Sequence, residues 1–251
     1  MKPKYWVPAI SRANEIIHLV ARYPGKFRLI DLSQELEISK SSIYSLLNTL
    51  EHLSWLRKTE KETYTLGPFF GTIGTLYLHQ FDILDAFLAE AKRVVTIVDE
   101  HIQLGRLIGD EVYYMAREEG SSPVRLVTDP GNRFPAYASG LGKVLLSQYD
   151  YDQLKEVLTE TTFEKKTPST ISNIDELWEE LKKAKQQGYI TDEEEGAKGF
   201  YCVAAPIYDS RNEITAAVSF TMLASSWKEK KGLATQEIQK LAKVLSLYEN
   251  T

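Results

Sequence analysis

The sequence predicts an α+β protein of two domains, on three observations. Its 251 residues exceed the usual size of a single domain. Residues 10–67 combine helical spacing of apolar residues with two short β-prone segments. Beyond residue 101, strands joined by tight turns alternate with helices, which predicts an antiparallel sheet with flanking helices.

Composition narrows the class of protein. A hydrophobic fraction of 43% and a charged fraction of 26% are typical of a water-soluble globular protein. No apolar run approaches the roughly 18 residues that a membrane helix needs. No signal-peptide core follows Met1, so we expect a cytoplasmic protein without a membrane partner. The single cysteine, Cys202, cannot form an internal disulfide, and the four histidines lack zinc-site spacing, so we expect no metal and no cofactor.

Charge is unevenly distributed along the chain. The net charge is −5, yet residues 1–67 carry ten Lys and Arg against seven Asp and Glu, whereas the remainder carries 20 against 28. A basic N-terminal module on an acidic body is typical of a nucleic-acid-binding head joined to a domain with another task.

Three helices are expected in the N-terminal module. Apolar spacing from Ile10 to Val20 predicts the first, which ends near the turn Tyr23-Pro24-Gly25. The second is expected over residues 29–36, with four aliphatic side chains directed inward: Leu29, Ile30, Leu32 and Leu36. The third follows the N-cap candidate Ser39 and extends to Leu53.

The third helix has an apolar stripe and an opposite polar face. The stripe consists of Ile43, Leu46, Leu47, Leu50 and Leu53; the polar face consists of Ser41, Ser45, Asn48 and His52, flanked by Tyr44 and Thr49. Hydroxyl and amide groups on the N-terminal half of such a helix can reach base edges or phosphates, and Lys40 adds a phosphate anchor.

A β-hairpin is expected after this helix, from residues 55–59 to residues 63–66. Three helices and a hairpin make a winged helix-turn-helix, whose wing would meet the backbone or minor groove of double-stranded DNA. The candidate DNA-binding residues are Arg28, Ser39, Lys40, Ser41, Ser42, Tyr44, Ser45, Asn48, Thr49, Arg57, Lys58 and Lys61. A winged helix that binds another protein is the alternative.

A linker helix is expected over residues 68–81, because apolar and aromatic residues follow a helical rhythm from Phe69 to Phe81. An aromatic helix directly after a DNA-binding module favours a buried contact between two copies of the chain. A twofold-symmetric homodimer would suit a palindromic operator. Packing of this helix against the chain's own C-terminal domain is the alternative.

The C-terminal domain is expected to begin at residue 82, with a helix that continues to about Val98. Strands are expected at residues 103–108, 112–117, 124–128, 201–207 and 214–222. Further helices are expected at residues 141–147, 152–158, 174–187 and 235–248. Asn173 and Glu176 suit a capping box before the helix at residues 174–187, and Gly188 suits its C-cap.

Three segments together resemble the isocitrate-lyase-regulator (IclR) family of bacterial transcription factors. They are residues 38–50, residues 134–146 with the run Ala138-Ser139-Gly140-Leu141-Gly142-Lys143, and residues 188–209. Their order and spacing agree with the family, and the likeness spans nearly the whole chain.

The resemblance implies a GAF-like effector domain, in which a small metabolite alters DNA binding by a homodimer or homotetramer. The metabolite is often a carboxylate or an aromatic acid. The expected parts are a DNA-binding domain at residues 1–67, a linker and dimerisation helix at residues 68–81, and an effector-binding domain at residues 82–251. The implied effector contacts are Leu126, Gly140, Leu141, Asp192, Phe200, Cys202, Ser219 and Thr221.

The physical chemistry of these positions is compatible with a ligand. Gly140 would let a ligand approach backbone amides, and Ser219 and Thr221, two apart on a strand, point to the same side. Purely structural roles are the alternative: a turn at Gly140, a core thiol at Cys202 and a sheet hydroxyl at Ser219.

The sequence departs from the family at two places. Where many members have a small residue followed by His and Arg in the recognition helix, this chain has Ile43-Tyr44-Ser45, so an arginine-to-guanine contact is not expected. Tyr137 stands where the family often has His, and Phe200 is bulky, so we expect an effector different from that of better-known members.

Enzyme motifs are incomplete. The run Gly140-Leu141-Gly142-Lys143-Val144 lacks the first glycine and the Ser/Thr of a phosphate-binding loop. Ser139 lacks the glycine that a nucleophile elbow needs two residues earlier. The acidic run of residues 192–195 is expected to be a solvated face. We therefore expect a regulator rather than an enzyme, with a hydrolase and a ligand-independent repressor as alternatives.

Overall fold

The structure, a computed structural model, describes residues 6–78, 82–122, 128–158 and 160–249. Its contacts divide the chain into two compact units, residues 1–80 and residues 81–251. Each unit has a hydrophobic core of its own. Within the described ranges, no helix is long and apolar enough to cross a membrane.

The first unit is a winged helix-turn-helix followed by a further helix. Its elements are α1 (Pro8–Arg22), α2 (Leu29–Glu35), α3 (Lys40–His52), β1 (Leu56–Lys58), β2 (Tyr64–Leu66) and α4 (Pro68–Leu78). β1 and β2 pair in antiparallel register to form the wing. The core lies where α1, α2 and α3 meet, and Ile16, Leu32 and Ile43 are fully buried there. The three expected helices and the hairpin are confirmed.

Two side chains predicted to face this core do not. Ile30 is 52% exposed, because it lies about 200° around α2 from the buried Leu32, and a seven-residue helix has only one inward stripe. Leu53 is 47% exposed, because α3 ends at His52 and Leu53 is its C-cap, where the helical spacing no longer applies. Phe81, the last residue of the predicted linker helix, lies outside the described residues.

The second unit is an antiparallel sheet with helices on both faces. Its helices are α5 (Asp82–Val98), α6 (Gly140–Leu146), α7 (Tyr151–Val157), α8 (Ile174–Gln187) and α9 (Ala224–Ser246). Its strands are β3 (His101–Ile108), β4 (Glu111–Glu118), β5 (Arg133–Pro135), β6 (Ile190–Glu193), β7 (Phe200–Tyr208) and β8 (Ile214–Leu223), in the order β5-β4-β3-β8-β7-β6. Every neighbouring pair is antiparallel, which confirms the α+β class.

The two faces of this sheet are covered by different helices. Leu141 and Val144 of α6 share a core with Ala204 of β7 and Ala217 of β8, whereas α5 and α9 cover the opposite face. Since side chains alternate along a strand, residues two or four away from Ala204 and Ala217 also face α6. This alternation places Cys202, Ser219 and Thr221 on the α6 side of the sheet.

Three features of the second unit differ from the sequence-based expectation. The final helix begins at Ala224 rather than Thr235. Its first turns contain the buried Trp227 followed by several charged residues, and this mixed pattern did not predict a helix. Packing of α9 against β7 and β8 stabilises these turns. Strands β5 and β6 were not predicted, since β5 has three residues and β6 runs into the acidic segment. Of the predicted strand at residues 124–128, only Thr128 is described, and it is outside any strand.

The predicted caps of α8 are mostly confirmed. Asn173 accepts a hydrogen bond from the backbone N–H of Glu176 at 3.0 Å, and Gly188 adopts the left-handed conformation at the C-cap. The reciprocal half of the capping box is wrong. The Glu176 carboxylate does not accept from the backbone N–H of Asn173. It accepts instead from the N–H and the hydroxyl of Ser172, the residue before the N-cap.

Gly142 is required where α6 packs against the turn of residues 136–138. A Cβ at this position would lie 2.2 Å from the carbonyl oxygen of Ala136, so the backbone would have to move. We expect Gly142→Ala to lower the free energy of unfolding by about 3 kcal/mol. In the matched control Gly232→Ala, exposed on α9 of the same unit, the new methyl group meets no atom within 4 Å. Urea unfolding measures both, and an unchanged Gly142→Ala variant would show that α6 does not pack this closely.

Candidate functional site

A cavity of about 160 Å³ lies between α6 and the sheet of the second unit. A 150 Å³ cavity in another protein accommodates benzene, so this one has room for a small aromatic or short aliphatic molecule. Seven of the eight positions implied by the family resemblance line it: Gly140, Leu141, Asp192, Phe200, Cys202, Ser219 and Thr221. The eighth, Leu126, lies outside the described residues.

Sequence reasoning missed the other residues of the cavity wall. They are Gln103, Tyr114, Thr128, Phe134, Ala138, Ser139, Gly196 and Ala197. The sequence places them far apart, and only the strand order β4-β3-β8 brings Tyr114 and Gln103 beside Ser219. The alternation of polar and apolar residues in β3 was the available signal for Gln103.

Gly140 permits the close approach of α6 to the sheet. It is the first residue of α6, and a Cβ there would lie 3.3 Å from the Cβ of Cys202 and 3.6 Å from that of Asp192. A side chain at this position would therefore fill the space between the helix and β6 and β7. Gly140 makes no left-handed turn, so the alternative of a turn glycine is wrong.

One wall of the cavity is a chain of hydrogen-bonded polar side chains. The Thr221 hydroxyl donates to Oε1 of Gln103 at 3.2 Å, and Nε2 of Gln103 donates to the carbonyl oxygen of Thr128 at 3.1 Å. Sγ of Cys202 lies 3.3 Å from Oγ1 of Thr221. Burial raises the pKa of the Cys202 thiol, so it remains protonated and donates to Thr221.

Asp192 adds a carboxyl group to the same wall, since it pairs directly with Cys202 across β6 and β7. It is 4% exposed, and its Oδ1 accepts the backbone N–H of Glu195 at 2.8 Å. Burial raises the pKa of this carboxyl, while the Lys143 ammonium and the N–H groups of Glu195 and Gly140 oppose the shift. A ligand with a hydroxyl or a carboxylate could therefore find either an acceptor or a donor at Asp192.

Lys143 lies behind Asp192 and is fully buried. Its Nζ donates to the carbonyl oxygen of Thr191 at 3.1 Å and to Oε1 of Glu195 at 2.5 Å. Burial raises the pKa of Glu195 to about 7 against the opposing effect of Lys143. The pair ties α6 to the segment of residues 191–195, which continues into the cavity wall at Gly196 and Ala197.

The expectation that residues 192–195 form a solvated face is wrong. Asp192 points inward from β6, and Glu195 turns beneath the strand to meet Lys143, whereas Glu193 is exposed. The sequence carried a signal for this arrangement: Lys143 is the one cation in the otherwise apolar stretch of residues 140–146. A buried cation in such a helix requires a buried anion nearby.

The polar face of α3 is exposed as predicted. Oγ of Ser39 caps the helix by accepting the N–H of Ser42 at 3.4 Å. The hydroxyls of Ser45 and Thr49 donate to backbone carbonyls one turn earlier, at 3.1 Å and 2.9 Å. Their lone pairs face outward and remain available as acceptors.

The other expected DNA-binding residues surround this face. Lys40, Ser41, Tyr44, Asn48, Arg57 and Lys61 are exposed, and Ser42 is half-buried. Lys58 pairs with Glu62 across the wing turn at 2.9 Å. Arg28, at the N-cap of α2, forms a backbone bridge with Thr63 of the wing. Within the first unit, the expected DNA-binding residues thus lie on α3, at the start of α2 and on the wing.

Arg12 was missed. It is exposed on α1, and it lines a shallow hollow together with Ser41, Ser45 and Thr49 of α3. No sequence signal marks it, because its proximity to α3 results from the packing of α1 against that helix. In the described part of the chain, no group of three His, Cys, Asp or Glu residues could hold a metal ion.

A winged helix-turn-helix followed by a cavity-bearing α+β domain defines the class of helix-turn-helix regulators with a sensor domain. Comparison with known proteins identifies the family. The sequence profile described as "IclR helix-turn-helix domain" matches residues 9–60, and "Bacterial transcriptional regulator IclR C-terminal" matches residues 75–247. The chain belongs to the IclR family of bacterial transcriptional regulators.

Relatives and solved structures agree with this assignment. The transcriptional regulator KdgR of Dickeya chrysanthemi is 30% identical over 77% of this chain, and the match spans 64% of its own length. The repressor AllR of Salmonella typhimurium is 27% identical over 92% of this chain and 85% of its own. The crystal structure of the Thermotoga maritima IclR has 25% identity and a TM-score of 0.79, covering 95% of this chain and 99% of that one.

A more distant structure shares the fold. It is an IclR homolog from Microbacterium hydrocarbonoxydans in complex with 4-hydroxybenzoate, 19% identical, with a TM-score of 0.81 over 96% of this chain and 98% of that one.

Replacement of the buried cation tests the role of the Lys143–Glu195 pair. We expect Lys143→Met to lower the free energy of unfolding by about 3 kcal/mol at alkaline pH, because it leaves a mostly buried carboxylate without its partner. The loss should shrink as the pH falls toward about 7 and be small below it, since Glu195 is then protonated with or without the cation.

The matched control is Lys183→Met, which removes an exposed lysine paired with Glu180 on α8. It should leave urea unfolding unchanged. Equal effects of the two substitutions would contradict a structural role for the buried pair.

Proposed function

We propose that this protein is a transcriptional regulator whose homodimer binds a palindromic operator, and whose operator affinity changes when a small acid occupies the cavity. The observation that carries this proposal is the convergence of seven predicted effector positions on one cavity, in a chain with a winged helix-turn-helix. AllR, the Salmonella relative, is named a repressor, which favours repression as the output.

The DNA interface proposed here is centred on α3. Ser41, Ser45 and Asn48 would contact base edges in the major groove, and the exposed ring of Tyr44 would contact a thymine methyl or a sugar. Lys40, Arg57 and Lys61 would meet phosphates, as would Arg12 from α1. Lys58 would also meet a phosphate, since its exposed pairing with Glu62 is weak and can be exchanged for one.

A homodimer would present two such helices. Support comes from α4, where Ile73 and Leu76 expose 46% and 58% of their surface although both are apolar. Exposed aliphatic residues on a helix directly after the wing are suited to a twofold contact. The linker role of residues 68–81 and the domain bounds at residues 67 and 82 belong to this proposal.

The proposed effector is a small carboxylate, with an aromatic acid preferred. Phe134, Leu141 and Phe200 provide apolar wall, and Asp192, Ser219 and Thr221 provide polar groups. The complex of the Microbacterium hydrocarbonoxydans homolog with 4-hydroxybenzoate supports an aromatic acid.

The DNA interface is tested by a triple substitution on α3. We expect Ser41→Ala, Ser45→Ala and Asn48→Ala together to weaken operator binding by at least about 100-fold, since each lost base contact costs about 1 kcal/mol or more. The control Asn14→Ala, exposed on α1, should bind normally. Fluorescence anisotropy with recovered genomic fragments measures both. A folded triple variant with wild-type affinity and salt dependence would refute the assignment of α3 to base readout.

The effector site is tested on β6. We expect Asp192→Asn to change the affinity for 4-hydroxybenzoate about tenfold while leaving DNA binding without effector nearly intact. Glu193→Gln, the next residue on the same strand, is exposed and serves as the control. Isothermal titration calorimetry provides the affinities. Equal behaviour of the two variants toward every acid bound by the wild type would remove Asp192 from the site.

A further inference from the structure

A row of four polar side chains crosses the sheet beneath the cavity. Asp192 of β6 pairs with Cys202 of β7, Cys202 pairs with Thr221 of β8, and Thr221 pairs with His101 of β3. Directly paired residues in antiparallel strands point to the same face, so all four side chains face α6. Three of them line the cavity, and His101 is the next position in the row.

His101 is buried without a hydrogen-bond partner. Its side chain is 5% exposed, and within the described ranges neither Nδ1 nor Nε2 has a partner. Buried polar groups in proteins are nearly always hydrogen-bonded, and an unpaired one is costly. An imidazole that leaves both nitrogens unused therefore requires an explanation other than packing.

The neighbouring acidic side chains bind other groups, although Oε2 of Glu100 is, like the imidazole nitrogens, buried without a partner in the described ranges. Glu100 directs Oε1 to Lys230 of α9 at 2.8 Å, and Asp99 binds the N–H and hydroxyl of Ser121 at 2.8 Å and 2.6 Å. A Cβ at Gly120 would lie 2.7 Å from the backbone nitrogen of Glu100, so the chain after β4 passes directly beside the start of β3. These contacts hold the backbone at His101 in place without using the imidazole, so its two nitrogens are available to bind a ligand.

We propose that His101 forms a second polar end of the effector site, and that the effector is a small acid with a second polar group. This inference rests on the function proposed above. Adjacent strands lie about 4.8 Å apart, so the Cα atoms of Asp192 and His101 are roughly 14 Å apart along the row. The cavity lining in this row ends at Thr221, so a molecule with polar groups at both ends would extend one strand further to reach His101. The imidazole can donate to or accept from a distal hydroxyl or carboxylate.

The experiment compares acids that differ only in the second polar group. The probe pairs are benzoate with 4-hydroxybenzoate, and butyrate with succinate, titrated calorimetrically into the full-length wild type, His101→Leu and His101→Gln. We call an acid with a second polar group two-ended (4-hydroxybenzoate, succinate) and its counterpart without that group one-ended (benzoate, butyrate). In the wild type we expect at least one two-ended probe to bind about tenfold more tightly than its one-ended partner. His101→Leu should lose that advantage and leave the one-ended acid unaffected. His101→Gln keeps a donor and an acceptor and should retain part of the advantage.

A second measurement does not depend on the stability of the leucine variant. In wild-type protein with ¹⁵N-labelled histidine, the imidazole signal that disappears in His101→Gln belongs to His101. It should shift with the two-ended probe that binds more tightly and stay in place with its one-ended partner.

The outcomes separate this inference from the proposed function. If acids bind but the second polar group adds no affinity, or if the His101 signal responds to neither member of a pair, the role of His101 is refuted while the effector cavity stands. If no acid binds the wild type at all, both proposals fail.

Discussion

The buried ammonium of Lys143 is the constraint on which the ligand cavity depends. A fully buried cation must be neutralised inside the protein. Lys143 reaches across from α6 to Glu195 and to the carbonyl oxygen of Thr191, and so fixes the acidic segment against the helix. The same segment carries Asp192 into the cavity wall. Among the described residues that line the cavity, Asp192 carries the only carboxyl group, and its position is thus set by a contact outside the cavity.

The sequence was informative wherever local rules decide the structure. Apolar spacing and an N-cap serine located α3, and two β-prone segments around a polar turn located the wing. The family resemblance located seven cavity residues, because a sequence motif transfers positions without requiring the tertiary structure. Features that depend on distant contacts were lost. The start of α9 and the proximity of Arg12 to α3 are determined by packing partners far along the chain. The strand β6 was lost for a different reason, because its second half runs into the acidic segment of residues 192–195.

The two candidate sites use hydroxyl groups in opposite ways. On α3, the hydroxyls of Ser45 and Thr49 are satisfied by the helix itself and face solvent, so meeting DNA requires little rearrangement. In the cavity, Thr221 is bound to Gln103 within an enclosed wall, where every unmatched polar group on a ligand is penalised. Under the proposed function, the cavity would select a ligand by its hydrogen-bonding pattern, whereas the α3 face would acquire selectivity only when DNA places bases against it.

Coupling between ligand and operator is the central claim, and thermodynamic linkage makes it measurable from both sides. The decisive measurement is the operator dissociation constant by fluorescence anisotropy without and with saturating acid, paired with calorimetry of the acid on free and operator-bound protein. The account predicts that the acid changes operator affinity at least fivefold, and that the operator changes acid affinity by the same factor. A protein that binds both, with each affinity independent of the other, would contradict it.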